Sequence, residues 1–419
     1  MTHALAIDGG PKAVAEKLPT FLDAAGRTFG TEEERLVIEV LRSGCLSRNG
    51  GAMVERLERD FATALGVPHA IACSTGTAAV HLALAALDLE PGDEVIVPPI
   101  TDIGSILPVL WQNAVPVFAD VDPVTLCLDP EDLASRISPR TRAVIAVHLA
   151  GQPCDMPALT ALCRRHGFVL IEDCSQAYWA ECHGQIVGTM GDLACFSLQQ
   201  SKHMTCGEGG LLATPNHAYA ARARLFADKA WPRDLTSLGS MRFLFLAQNY
   251  RMSELQGAVA LAQLGKLQAT LACRRRQAAA LTALLEDVPE VQCPRAAAGT
   301  THSFWLYMLR VNEERCGART ADFGTALLAE GVPSWVQYIV DPLYLSPLFT
   351  ERHTYGASEY PFRPFGRQVY DSGLCPRAEH GLRNVIALWW NEAYTDEHVR
   401  QIASAIRKVA RHFSRAMAR

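Results

Sequence analysis

Two residues of the 419-residue chain stand out by the company they keep. Lys202 follows the apolar run LACFSL in FSLQQSKHMTCGEGG, and a glycine-dense segment comes after it. Asp173 closes another apolar run in VLIEDCSQA. A lysine leaving a buried strand either snorkels its charge back to water or serves as an amine in a desolvated place, where the neutral nucleophilic form gains. A carboxylate at the end of a strand is costly unless it meets a cation or several donors. On its own stretch, Asp173 reads equally well as a turn residue.

Two further stretches supply what these residues lack. CSTGTAAVHLAL, residues 73–84, has the texture of a strand, a tight small-residue turn and a helix. The open N–H groups and dipole of such a helix start favour an anion, and Gly76 leaves room for a phosphate. Thr77 suits either that anion or a plain helix cap. Ser197, five positions before Lys202, offers another hydroxyl. QNYRMSELQ, residues 248–256, places Asn249 and Arg251 before a helix, with Ser253 as its N-cap and Gln256 at the third helical position. The chain has neither the phosphate loop of the P-loop nucleotide-binding proteins nor the glycine fingerprint of dinucleotide binding in these places. An anion cradle, a carboxylate for a protonated pyridine nitrogen and a lysine for an aldehyde are together the requirements of pyridoxal 5′-phosphate (PLP).

The elements that must position these groups form an alternating pattern. HAIAC, EVIVPP, VPVFADV, RAVIAVH, FVLIED, ACFSL and GLLAT read as strands, several separated by amphipathic helical stretches such as DMPALTALCRRHG. Runs apolar along their whole length suit strands covered on both faces. The pattern predicts an α/β fold with a mostly parallel central sheet covered by helices. A helical pattern from Ser253 to Val288 is long enough to link two domains. We expect residues 1–30 to form an arm, 31–288 a large α/β domain ending in the long helix, and 289–419 a smaller α+β domain.

Composition narrows the partners. With 49% hydrophobic and 20% charged residues the chain is of ordinary globular type, and a net charge of −5 gives no electrostatic case for nucleic acid or an anionic membrane. No run reads as a membrane span, the N-terminus lacks the apolar core of a secretory signal, and the 13 cysteines include no C-x-x-C pair. Cys182 beside His183 follows no zinc spacing, so no metal is expected. Reduced thiols and a cytoplasmic location are the expectation.

The stretches GTAAVHLAL, PGDEVIVPP, VFADVDPVTLCLDP, AVHLAGQPCDM, IEDCSQA, FSLQQSKHMTCGEGG and NYRMSELQGAVALAQLGKL resemble the DegT/DnrJ/StrS-type aminotransferases. These are fold-type I PLP enzymes that aminate keto-sugars and keto-cyclitols. The resemblance covers nearly the whole chain, from LAIDGGPKAV to the last helix, and is strongest from Ala70 to Leu267. It implies that Lys202 carries the cofactor and that Asp173 faces the pyridine nitrogen. It also implies that Gln176 lies near the phenolic oxygen, and that Gly76, Thr77 and Ser197 hold the phosphate. Asn249 would reach in from a second subunit of a homodimer with shared sites. Relatives that dehydrate carry histidine in place of the lysine; here the position is Lys202, with His203 after it, which favours transamination. One position departs from the family. An aromatic commonly follows the threonine of its P-x-x-T loop, whereas PPITDIGS has Asp102 there, leaving Ile103 or a rearranged loop to cover the ring.

The resemblance implies L-glutamine or L-glutamate as donor and a ketone on a polyhydroxylated ring as acceptor. The wording QQSKHMT is closer to aminocyclitol (scyllo-inosose-type) and aminohydroxybenzoate-forming members, with a place in secondary metabolism such as antibiotic biosynthesis. Two other readings stand beside it. A nucleotide-linked keto-sugar would need cationic groups, for which Arg233 and Arg242 are candidates. A PLP-binding sensor without turnover fits poorly with the intact Lys202–Asp173 pair. His203, Tyr178, Arg251 and Tyr338 are the candidate substrate contacts. His148, Trp179 and His183 are further candidates for the pocket wall, although a packed role is the commoner fate of each type.

Overall fold

A computed structural model of the chain describes residues 4–233 and 242–417. The segment between Arg233 and Arg242 lies outside the described residues. Seven strands make the central sheet: β1 His69–Cys73, β2 Glu94–Val97, β3 Val115–Phe118, β4 Thr141–Val147, β5 Val169–Asp173, β6 Leu193–Ser197 and β7 Gly210–Thr214. Their order is β1-β7-β6-β5-β4-β2-β3. Neighbours from β6 across to β3 pair in parallel, and β7 alone runs against its neighbours β6 and β1. The strands are buried nearly end to end, as sheets covered on both faces require.

Helix Gly76–Ala86 follows β1 and packs against β6, β7 and helix His217–Ala227. Its sequence GTAAVHLALAA is apolar almost all round because almost every residue of it is buried. Edge strand β3 is covered by a side chain: the Gln368 amide donates to the Phe118 carbonyl (2.9 Å) and accepts from the Phe118 N–H (2.8 Å). An exposed ladder is thereby closed to pairing with another chain.

A second, antiparallel sheet is ordered Val291–Gln292, Leu306–Val311, Val385–Trp389, Ser334–Trp335. Its core takes in Leu5, Val14 and Leu18, so the N-terminal segment packs on this sheet through these residues. The helix predicted from Ser253 to Val288 spans Glu254–Leu284. Ser253 and Gln256 cap it reciprocally, the serine hydroxyl accepting from the Gln256 N–H and the glutamine oxygen from the Ser253 N–H. Ala260, Leu267 and Leu271 sit in the core beside the seven-stranded sheet, whereas Ala278 and Leu281 sit in the core of the smaller one. One rigid helix thus fixes the two sheets to each other. Among the described residues, no helix is long and apolar enough to cross a membrane.

Candidate active site

A cleft of about 410 Å³ opens at the carboxyl ends of β5 and β6, where open α/β sheets bind ligands. Its lining includes Gly76, Thr77, Asp102, Asp173, Gln176, Ser197 and Lys202. Lys202 is held there by topology. Since β7 returns antiparallel beside β6, the connection carries no crossover helix, and the chain turns back over the strand ends with the lysine in it.

The lysine is 8% exposed, and its Nζ lies 3.6 Å from the centre of the Trp305 ring. Among the described residues it has no hydrogen-bond or ion-pair partner. Burial pulls the ammonium down to about 8, against the opposing charges of Asp102 and Asp173. The backbone around it is clamped. The Lys202 carbonyl accepts from Arg27 Nη1 (3.1 Å), and the Ser201 carbonyl accepts from Trp305 Nε1 (2.9 Å). Arg27 is itself buried beside Glu392, which also receives Arg274.

Asp173 ends β5 with its carboxylate 4% exposed. Oδ2 accepts from the Ser105 hydroxyl (2.7 Å) and Oδ1 from the Ser175 N–H (3.0 Å). Ser105 is held in turn against Thr101 Oγ1 at 2.8 Å. The carboxylate is fixed and partly satisfied, with acceptor capacity left for a donor from the cleft.

The anion cradle is built as the residues predicted, with one change. Thr75, and not Thr77, caps helix Gly76–Ala86: its hydroxyl accepts from the Ala78 N–H and its carbonyl from the Ala79 N–H. Extended φ/ψ at Thr75 makes it the cap, and Thr77 is left as the second helical residue. The N–H groups of Gly76 and Thr77 therefore stay open to the cleft. A Cβ at Gly76 would fall 2.6 Å from Ser197 Cβ, so only glycine lets the helix start come this close to the serine.

Gln176 accepts from the Ala150 N–H (2.8 Å) and donates to the Tyr338 hydroxyl (3.1 Å). Ala150 has φ 55°, a left-handed backbone at the point where the glutamine holds it. Tyr338 stands edge-on to Trp305 beside the cleft, with burial pushing its phenol above the usual range.

The remaining candidates lie elsewhere. His203 donates from Nε2 to the Ser303 carbonyl (3.0 Å), and burial keeps its pKa well below the usual histidine range. Tyr178 donates to the Ser197 carbonyl (3.0 Å) and packs with Trp179 and Phe196 in the core. Neither side chain is part of the cleft lining: Tyr178 is packed into the apolar layer next to β6, and His203 is buried against Tyr178. Arg251 and Arg233 both close on Asp228, and Asn249 is exposed beside them in a bridge to Asp228; none lines the cleft of its own chain. Arg242 is exposed and is also absent from that lining. His148 is fully buried on Glu172 (3.1 Å), whose carboxylate also takes the N–H groups of Gly188, Met190 and Gly191. With Cys174 these two form a buried cluster of ligand-type groups, but the carboxylate is committed to protein donors. Exposed His183 packs on Gly299, outside the cleft lining.

Sequence reasoning missed Ser105, Trp305, Trp335 and Phe21, all of which line the cleft, and Arg27, which clamps the lysine loop. Asp102 lines the wall with its Oδ1 accepting from the Gly104 N–H (2.8 Å), while Ile103 packs on the core; Trp305 and Trp335 are aromatic residues of the lining. The cleft fits PLP: open helix-start amides and hydroxyls for a phosphate, a buried unpartnered amine for an aldehyde, and a fixed carboxylate for a ring N–H.

The comparisons agree with this chemistry. The chain is 36% identical over 432 residues to the L-glutamine:2-deoxy-scyllo-inosose aminotransferase of Streptomyces lividus, covering 98% of this chain and 99% of the relative. It is 40% identical over 299 residues to the GDP-perosamine synthase of Caulobacter vibrioides, covering 71% of this chain and 78% of that one. The crystal structure of 3-amino-5-hydroxybenzoic acid synthase superposes with a TM-score of 0.81 at 28% identity, over 94% of this chain and 99% of that one. The fold is accordingly that of the fold-type I aminotransferases, and the cofactor of such an enzyme is PLP. A model of the DegT/DnrJ/EryC1/StrS aminotransferase family matches residues 28–407, and the chain belongs to that family and is an aminotransferase.

Proposed function

We propose that the enzyme moves an amino group from L-glutamine or L-glutamate to a ketone on a keto-cyclitol of the scyllo-inosose type. The observation that carries the reading is the buried Lys202 amine, without a partner among the described residues, in one cleft with Asp173 and the open Gly76 and Thr77 amides. PLP, when bound, supplies an aldehyde carbon for amines and a ring that withdraws electrons from the carbon being deprotonated. Lys202 would hold the cofactor through Nζ, and its amine, when free, would take the proton from the donor's α-carbon. Burial, which pulls the lysine's pKa down to about 8, favours the neutral form that this task needs. Asp173 would keep the cofactor's ring nitrogen protonated. Gly76, Thr77 and Ser197 bind the phosphate, and Gln176 orients Tyr338 at the cleft edge.

Asn249 is assigned to the phosphate site of a second copy, which makes the functional unit a homodimer with shared sites. Its exposure, and its absence from the cleft of its own chain, support that assignment. The division into an arm (1–30), a large domain (31–288) and a small domain (289–419) belongs to the same reading. The cyclitol is favoured over a nucleotide-linked sugar because the cyclitol-enzyme relative matches nearly end to end, whereas the GDP-perosamine synthase match spans 71% of the chain. A screen of purified enzyme against glutamine, glutamate, keto-cyclitols and nucleotide-linked keto-sugars, read by cofactor absorbance and amine formation, tests it. Amination of nucleotide-linked sugars in preference to keto-cyclitols rejects the cyclitol reading and keeps the aminotransferase.

A further inference from the structure

One wall of the cleft carries the free carboxylate of Asp102, and its construction is specific. Loop residues 101–105 are pinned by the hydrogen-bonded series Thr101 Oγ1, Ser105 Oγ and Asp173 Oδ2, with contacts of 2.8 and 2.7 Å. That series fixes the wall to the floor of the site. Asp102, one residue into the loop, is exposed to the cleft and caps the short turn 103–105. Its Oδ1 is used by the Gly104 N–H; its Oδ2 has no partner among the described residues. A Cβ at Gly104 would meet both Thr77 Oγ1 (2.3 Å) and Asp102 Oδ1 (2.9 Å), so the carboxylate stands close beside the helix start.

The charges around it are one-sided. In the part of the cleft that one chain builds, the described lining holds three carboxylates, Asp102, Asp173 and Glu208, and one amine, Lys202; with Asp173 committed to the ring nitrogen, Asp102 is the free charge of this wall. Three arginines that bear on the site or were candidates for it are committed elsewhere within the chain. Arg27 is turned to the carbonyls of Gln200 and Lys202 and to Glu392, and Arg233 and Arg251 are on Asp228. A diphosphate brought against this wall meets like charge at Asp102, whereas a hydroxyl finds a free acceptor there. Asp102 also acts on the groups that face it, holding up the proton affinity of Lys202 and of the Tyr338 phenol.

We propose that Asp102 is the specificity-determining residue of the acceptor site, its free carboxylate oxygen accepting from hydroxyls of an uncharged polyhydroxylated ring and repelling acceptors that carry a diphosphate. The proposal rests on the aminotransferase reading above.

The test compares wild-type holoenzyme with Asp102→Asn and Asp102→Glu. Each is given 2-deoxy-scyllo-inosose and a nucleoside-diphosphate 4-keto-hexose as acceptor, with glutamine as donor. The quantity is the ratio of kcat/KM for the uncharged ring to that for the nucleotide acceptor. Cofactor titration and the visible absorbance of each variant report that the PLP site is intact. In Asp102→Asn, which keeps the shape and loses the charge, the ratio should fall about tenfold or more, chiefly through a lower KM for the nucleotide acceptor. Asp102→Glu should retain most of the preference. An unchanged ratio in Asp102→Asn, with cofactor absorbance intact and amino transfer still occurring, overturns the role of Asp102 and leaves the aminotransferase standing. Failure of the wild-type enzyme to aminate either acceptor overturns the reading beneath the proposal, and the proposal with it.

Discussion

Replacing Asp173 by Asn changes one charge and little else. The side chain has the same shape, and an asparagine oxygen can still accept from the Ser175 N–H that now lies 3.0 Å from Oδ1. Ser105, 2.7 Å from Oδ2, is a hydroxyl and can reorient to accept from an amide. The fold should therefore survive. The lost interaction is that of a carboxylate, 4% exposed, with a cation in the cleft. Removing one member of a buried charge pair costs about 3–5 kcal/mol, and each ~1.4 kcal/mol of barrier is about tenfold in rate. If most of that interaction is felt in the transition state for removing the donor's α-proton, the rate should drop by about a hundredfold or more. The assay is a stopped-flow half-reaction of PLP-loaded enzyme with glutamine, followed by cofactor absorbance. PLP should remain bound, since the phosphate contacts at Gly76, Thr77 and Ser197 are untouched. A half-reaction within about threefold of wild type would refute the argument and reduce Asp173 to a turn residue.

Three other outcomes follow from the same geometry. Burial lowers the folded-state pKa of Lys202 from 10.5 to about 8, so between those values the unfolded chain binds the extra proton and stability rises with pH. In cofactor-free protein Lys202→Met should therefore stabilise by about 3 kcal/mol below pH 8, and its advantage in melting temperature should vanish as the pH approaches 10.5; a pH-independent difference contradicts the buried-amine account. Gly76→Ala drives a methyl to within 2.6 Å of Ser197 Cβ, and PLP titration should show affinity lowered by about tenfold or more, with unchanged affinity excluding this helix start as the phosphate site. Asn249→Asp and Lys202→Ala should each be inactive at limiting cofactor, yet subunit exchange between them should restore activity, because one site of each mixed dimer escapes both lesions; no recovery with exchange confirmed would end the shared-site assignment.

The strands were legible because mostly apolar runs such as VLIED and LACFSL mark a sheet covered on both faces, and their carboxyl ends place Asp173 and Lys202 at one edge of it. The Ser253–Gln256 capping box was legible for a local reason, since both partners lie within four residues. Ser105 and Trp305 were not, because what makes them part of the site is contact across the fold: Ser105 to Asp173, and Trp305 to the Lys202 loop. His203 shows the opposite error. Adjacency to Lys202 suggested a pocket role, but successive side chains in that turn diverge, and the imidazole is spent on the Ser303 carbonyl. Thr75 displaced Thr77 as the cap because the helix begins at Gly76, two residues earlier than a cap at Thr77 would have it, a boundary that small residues on both sides leave unmarked.

The account stands most directly on one amine. Purified enzyme with bound PLP should be reduced with borohydride, digested and mapped by mass spectrometry. The pyridoxyl label is expected on Lys202, within the stretch FSLQQSKHMTCGEGG, and should be absent from Lys202→Ala. A label on any other lysine, or a Lys202→Ala protein that still carries the label and aminates keto-rings, would contradict it.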